Sequence, residues 1–257
     1  MKVDIHVHIM LQNGDTANFK PGVEKLLDSM DRAGIDKSNV IPLIYSVHPD
    51  EETENFLASF ITEYITVNPR FYSMIWLNPH LPINFLSDMI KRLIINGPVN
   101  GVKLLNDMNA ADRSMEPLAG FMEKHDVPVL IHSWYNTLKE TEFEATPKDV
   151  ACLAGKFPGL RIVMAHLRGA GYRGVQDIKK HKNIIIDTCG SESEDGYMRY
   201  ALDELGPERV IFGTDYPGRD FPAAIGRVES AEMTGEQRDM VFYQNAVKFL
   251  EGRKTNA

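Results

Sequence analysis

Eight short apolar runs, each followed by a polar loop and then a stretch of helical periodicity, constrain this chain more than any other feature. They cover residues 3–8, 40–46, 72–77, 101–105, 128–132, 161–166, 184–187 and 210–214, and their starts lie 23 to 37 residues apart. That spacing matches the ~30 residues of a βαβ unit. Between the runs sit amphipathic segments such as residues 23–33, where Val23, Leu26, Leu27 and Met30 recur at three-to-four spacing. Several of these segments end in Gly or Pro just before the next run, at Gly34, Pro158-Gly159 and Gly206-Pro207, as a helix entering an αβ loop does. Alternation of strand and helix favours parallel pairing. Eight units in 257 residues predict one closed (β/α)8 barrel, an α/β fold, spanning residues 1–257 as a single domain.

The strand ends carry the chemistry. His6 and His8 end the first run and His48 follows the second. Asn78 and His80 follow the third, Lys103 lies in the fourth, and His132 and His166 end the fifth and sixth. Asp187 ends the seventh and Asp215 follows the eighth. Barrel active sites are built at the C-terminal ends of the strands. A doubly wound open sheet would instead want a glycine-rich turn after the first strand, where this chain has His6-Val7-His8. Side chains alternate along a strand, so His6 and His8 share a face and start a divalent-metal site. His132 and His166, each closing a buried run, are candidates for ligand or catalytic roles. Asp215, in Gly213-Thr214-Asp215-Tyr216-Pro217, faces His6 and His8 if the barrel closes, and there a carboxylate can bind metal and accept a proton.

Lys103, inside an apolar strand, needs compensation for its charge. Three readings stay open: it anchors an anionic substrate, it is carboxylated and bridges two metals, or it is a structural lysine that snorkels. Trp134 and Tyr135 after His132 form a candidate aromatic wall, and His80 is a further substrate contact. Arg168, two residues beyond His166, is the preferred guanidinium for a substrate carboxylate, ahead of Arg173 and Arg219. Cys189, at the end of an apolar strand, reads as inert rather than nucleophilic.

The totals exclude other classes. Net charge is −8, against nucleic acid or an anionic membrane as the main partner. No apolar run approaches the ~20 residues needed to span a bilayer. The two cysteines form no CxxC pair, which fits a reducing, cytoplasmic setting.

Together these residues resemble the amidohydrolase superfamily, in particular the amidohydrolase-related branch with the aminocarboxymuconate semialdehyde decarboxylases. The resemblance runs from Asp4-Ile5-His6-Val7-His8 through Lys103, His132, His166 and Gly213-Thr214-Asp215-Tyr216-Pro217 to the closing Asn245-Ala246-Val247-Lys248-Phe249-Leu250. It implies a barrel with one divalent metal, zinc, on His6, His8, His132 and Asp215, or two metals if Lys103 is carboxylated. Asp215 would be general base, and His166 would contact water and substrate or a second metal. After His8 the chain reads Ile9-Met10-Leu11-Gln12-Asn13-Gly14, without the Pro-Pro-type segment usual in decarboxylases of that group. Hydrolysis of an amide, lactone or ester in a small anionic substrate is therefore the leading expectation, and non-oxidative decarboxylation is the alternative. A nuclease like TatD ranks third, because Gly213 stands where those proteins tend to carry an acid. A non-catalytic metabolite-binding barrel would be expected to have lost a ligand. Self-association into a homo-oligomer is left open.

Overall fold

In the computed structural model, eight strands alternate with helices along the chain. The structure describes residues 1–11, 19–44, 49–135, 143–191 and 195–252; His48 and the side chain of Arg168 lie outside it. The strands are β1 (Val3–Leu11), β2 (Lys37–Ile44), β3 (Phe71–Trp76), β4 (Gly101–Leu104), β5 (Val129–Ile131), β6 (Ile162–Met164), β7 (Ile184–Asp187) and β8 (Val210–Ile211). The principal helices are α1 (Phe19–Ala33), α2 (Glu51–Phe60), α3 (Ile83–Ile90), α4 (Glu116–Lys124), α5 (Pro147–Lys156), α6 (Leu167–Ile178), α7 (Tyr197–Leu205), α8 (Phe221–Glu229), α9 (Gly235–Asp239) and α10 (Asn245–Glu251).

The strands pair in sequence order, all parallel. The ring closes through main-chain bonds between β1 and the segment after β8. Ile5 N donates to Phe212 O (3.0 Å), Asp215 N to His6 O (2.8 Å) and His8 N to Tyr216 O (2.6 Å), with Val7 and Tyr216 paired in parallel. This is the predicted (β/α)8 barrel.

Local chemistry explains the punctuation. Gly34 ends α1 at φ +66°, a left-handed conformation that glycine adopts without a Cβ penalty. Asp50 caps α2 through Thr53 N, and Thr146 and Asp149 form a reciprocal capping box on α5. Strand limits differ from the sequence expectation at two places that matter. β1 continues to Leu11, so Ile9, Met10 and Leu11 are strand rather than loop. β8 has two residues, because the chain beyond it leaves the β7 ladder to close the ring on β1.

One irregularity of β1 sits beside His6. Between Asp4 and Val7, β1 advances three residues while β2 advances from Ser38 to Val40. Asn39 Nδ2 fills the gap by donating to Ile5 O at 2.9 Å. Such a bulge increases local twist and re-aims the side chains beside it, here His6.

Candidate metal centre

β1 delivers His6 and His8 to the barrel mouth, both buried. Their outer nitrogens are occupied. His6 Nδ1 lies 2.8 Å from Asp187 Oδ2 at the end of β7, and His8 Nδ1 lies 3.1 Å from Ile41 O on β2. Each acceptor draws the ring proton to Nδ1 and leaves the Nε2 lone pair facing inward, the tautomer a metal ligand needs. The two Nε2 atoms are 3.0 Å apart, and Asp215 Oδ1 stands 3.7 Å from His6 Nε2 and 3.3 Å from His8 Nε2. Donors on a tetrahedron of ~2.0–2.1 Å radius are separated by about 3.3 Å, so the triangle has the size of a metal face. Two imidazole lone pairs at 3.0 Å repel unless a cation lies against both. These residues therefore fit a divalent ion.

Asp215 is held in place by strain and by the seam. Its φ is +63°, rare for a residue with a side chain, and its N–H is fixed on His6 O. His166 is also left-handed, at φ +76°, with its N–H on Asp187 Oδ1 (2.8 Å). Its ring lies stacked on His6 (centroids 5.4 Å, 12°), and its Nε2 is 4.0 Å from Asp215 Oδ2. Both ring nitrogens of His166 are buried without a hydrogen-bond partner among the described residues. Unpaired polar atoms of this kind call for a ligand.

Lys103 is fully buried, with Nζ 3.0 Å from His6 Nε2. Burial pushes its ammonium down to about 8, against the opposing pull of Asp215 and Asp187. Burial, then the Lys103 charge, pushes the His6 imidazole down to about 4, so it is neutral at pH 7. For Asp187 burial alone would raise the carboxyl, but the His6 hydrogen bond and neighbouring imidazoles bring it down to about 2. The Asp215 carboxyl is likewise held well below the usual range: His8, His6 and His166 outweigh its burial. Burial and His132 drive His166 well below its ordinary value. The neutral imidazoles of His6 and His166 thus face the Asp187 and Asp215 carboxylates, with the Lys103 ammonium against His6 on the same side.

Other predicted contacts are placed differently. His132 is not brought into the His6, His8 and Asp215 triangle. Its Nε2 lies 2.8 Å from Glu144 Oε1, and its ring stands edge-on to His166 at 4.7 Å. Trp134 does flank the site, edge-on to His166 at 5.1 Å. Tyr135 turns toward α6, with its hydroxyl on Asp177 and its ring under Arg173 at 4.3 Å. His80 Nε2 is 2.8 Å from Asp107 O, and Trp76 Nε1 donates to Asp107 Oδ2 at 2.8 Å. Arg219 Nη1 donates to the neighbouring Gly218 O. Burial pushes the Cys189 thiol well up, which agrees with its reading as no nucleophile.

Asp187, Glu144 and Trp76 entered without an assigned role. Asp187 had a signal: it is the one carboxylate closing an otherwise all-isoleucine run, Ile184-Ile185-Ile186.

The amidohydrolase family profile matches residues 3–252. The chain belongs to the amidohydrolase family. It is a metal-dependent enzyme of that superfamily, whose members use a divalent metal. The fold is similar to 5-carboxyvanillate decarboxylase LigW from Sphingomonas paucimobilis (TM-score 0.75, 17% identity, 97% of this chain and 98% of that one). It is also similar to 2,6-dihydroxybenzoate decarboxylase from Rhizobium (0.75, 16%, 97% and 98%). A third is the dihydroxybenzoic acid decarboxylase from Polaromonas sp. JS666, with bound manganese and the inhibitor 2-nitroresorcinol (0.75, 18%, 99% and 98%). No curated protein sequence matches the chain. Among the described residues, no helix of this amidohydrolase is long and apolar enough to cross a membrane.

Proposed function

We propose that this amidohydrolase is a metal-dependent, non-oxidative decarboxylase of a small hydroxylated aromatic carboxylate. The observation that carries the reading is the buried Lys103 Nζ, 3.0 Å from the nitrogen that would bind the metal. An ammonium and a divalent cation this close repel strongly in a site shielded from water, and an anion placed against both removes the conflict. A substrate carboxylate is that anion. Trp76, in register with Lys103 on the neighbouring strand, and Trp134 against His166 bracket the same mouth and suit a flat ring. The decarboxylases of similar fold support this ahead of hydrolysis.

A zinc-like ion on His6, His8 and Asp215 would supply Lewis-acid charge against the substrate's anionic oxygens. Lys103 pairs with the carboxylate, and the open nitrogens of His166 hydrogen-bond a ring oxygen. Asp215 takes the substrate's hydroxyl proton and passes it to the ring carbon that bears the carboxylate. The carbon–carboxylate bond then breaks, its electron pair restores the ring, and carbon dioxide leaves with the product as phenolate. Arg168 remains the preferred second carboxylate contact. If Lys103 is carboxylated, two metals would be held instead of one.

The deciding experiment gives metal-loaded protein hydroxybenzoates and aromatic lactones, and measures carbon dioxide release and ring opening in parallel. Carbon dioxide release that falls by about 100-fold in Lys103→Ala is expected. Ring opening without carbon dioxide would replace this reading with hydrolysis.

A further inference from the structure

His6 belongs to two donor sets. One is His6, His8 and Asp215; the other is His6, His166 and Cys189, whose donor atoms also lie within 4.8 Å of one another. The second set lies toward β7. Cys189 is 2% exposed, with Sγ 3.4 Å from His6 Nδ1 and donating to Asp187 Oδ1 at 2.9 Å. His166 reaches the same set with both ring nitrogens buried and unpartnered among the described residues. A thiol serving only to fill the core would not need two histidines within coordination distance, one of them with both ring nitrogens lacking a hydrogen-bond partner among the described residues.

We propose that Cys189, His166 and His6 form an alternative metal position that captures thiophilic ions and competes with the His6, His8 and Asp215 position. This rests on reading the cluster as a metal centre. Two imidazoles with a carboxylate suit zinc or manganese, whereas two imidazoles with a thiolate select cadmium or zinc over manganese or magnesium. When such an ion enters on Cys189 Sγ and His6 Nδ1, the Sγ–H proton leaves to the buffer and the Nδ1 proton shifts to Nε2, which removes the Nε2 lone pair from the other position; no electron is transferred. Because His6 is common to both sets, an ion held on sulfur withdraws a ligand from the oxygen-bearing position. Cys189 is thus a determinant of metal preference and of sensitivity to soft metals.

The test titrates metal-free protein with cadmium chloride and, separately, manganese chloride, in the native sequence and in Cys189→Ser. With cadmium the native protein should develop sulfur-to-metal charge-transfer absorption, one band per bound ion. Cys189→Ser should lose the band and about tenfold or more of its cadmium affinity, while manganese affinity changes by less than about twofold. Absence of the band in the native protein, or equal cadmium affinity in the two, overturns the proposal. If Cys189→Ser does not fold, cadmium NMR of the native protein decides, since sulfur coordination shifts the resonance far from its nitrogen–oxygen range. Manganese that fails to bind the native protein would defeat the His6, His8 and Asp215 reading, while the cadmium band would still judge this one.

Discussion

Asp187 does two jobs with one carboxylate: Oδ2 orients His6 and Oδ1 holds the His166 N–H. Asp187→Asn can still hydrogen-bond but presents no charge to His6, so the imidazole is free to take the wrong tautomer. Metal affinity measured by competition with a chromogenic chelator should fall about 10- to 100-fold while the fold persists. His6→Ala with His8→Ala should abolish metal retention by elemental analysis, since both lone pairs disappear. A different residue contributes to the pH dependence of stability. Glu54, fully buried with Oε1 on Asn78 N–H (2.6 Å) and Oε2 unpartnered among the described residues, has its carboxyl pushed up to about 8 by burial. In the unfolded chain it ionises near 4.5, so the folded state holds the extra proton between 4.5 and 8. Stability present below 4.5 is therefore lost as pH rises through 8, by on the order of several kcal/mol at about 1.4 kcal/mol per unit. Glu54→Gln should flatten the loss, read from urea midpoints at pH 5 and pH 9. Residue identity was legible where geometry is local: alternation alone puts His6 and His8 on one face. Alternation says nothing of the Glu144 carboxylate beside His132, twelve residues on, a separation that neither a strand nor a helix period predicts.

At the scale of elements, two contacts test how the mouth is built. Gly169 lies in α6 with the Trp134 ring against it; an added Cβ would sit 2.4 Å from that ring. An exposed helical Gly→Ala usually stabilises by about 1 kcal/mol, but Gly169→Ala should destabilise by about 1–3 kcal/mol and shift Trp134 fluorescence, because the indole must move. At the other end of α6, buried Arg209 donates to Ile184 O, Ile178 O, Lys179 O and His181 O, each at 2.9 Å, fastening the helix terminus to β7. Arg209→Ala leaves those carbonyls unsatisfied and should cost about 3 kcal/mol by chemical denaturation. All eight strands could be read from their apolar runs, since these are buried on both faces. Their limits could not, because a run of isoleucine does not say which neighbour its backbone bonds. The brevity of β8 follows from main-chain partners on β1, some 200 residues earlier in the chain.

For the molecule as a whole, metal binding at the proposed triangle would be coupled to folding, because the triangle exists only in the closed ring. Saturating metal at about 100 times Kd should stabilise by about 2.7 kcal/mol, seen as a rise in Tm that a chelator reverses. The His6→Ala, His8→Ala protein should show no such rise.

The bonds Asp215 N to His6 O and His8 N to Tyr216 O are at once the last staves of the ring and the alignment pins of the proposed ligands. Assembly and activation are thus the same event. A chain that joins its ends one residue out of step would turn His6 and His8 outward, leaving a compact, helical molecule that binds no metal. Metal uptake is then a proofreading signal for this amidohydrolase, able to distinguish correctly joined molecules from misjoined ones when their helix content is the same.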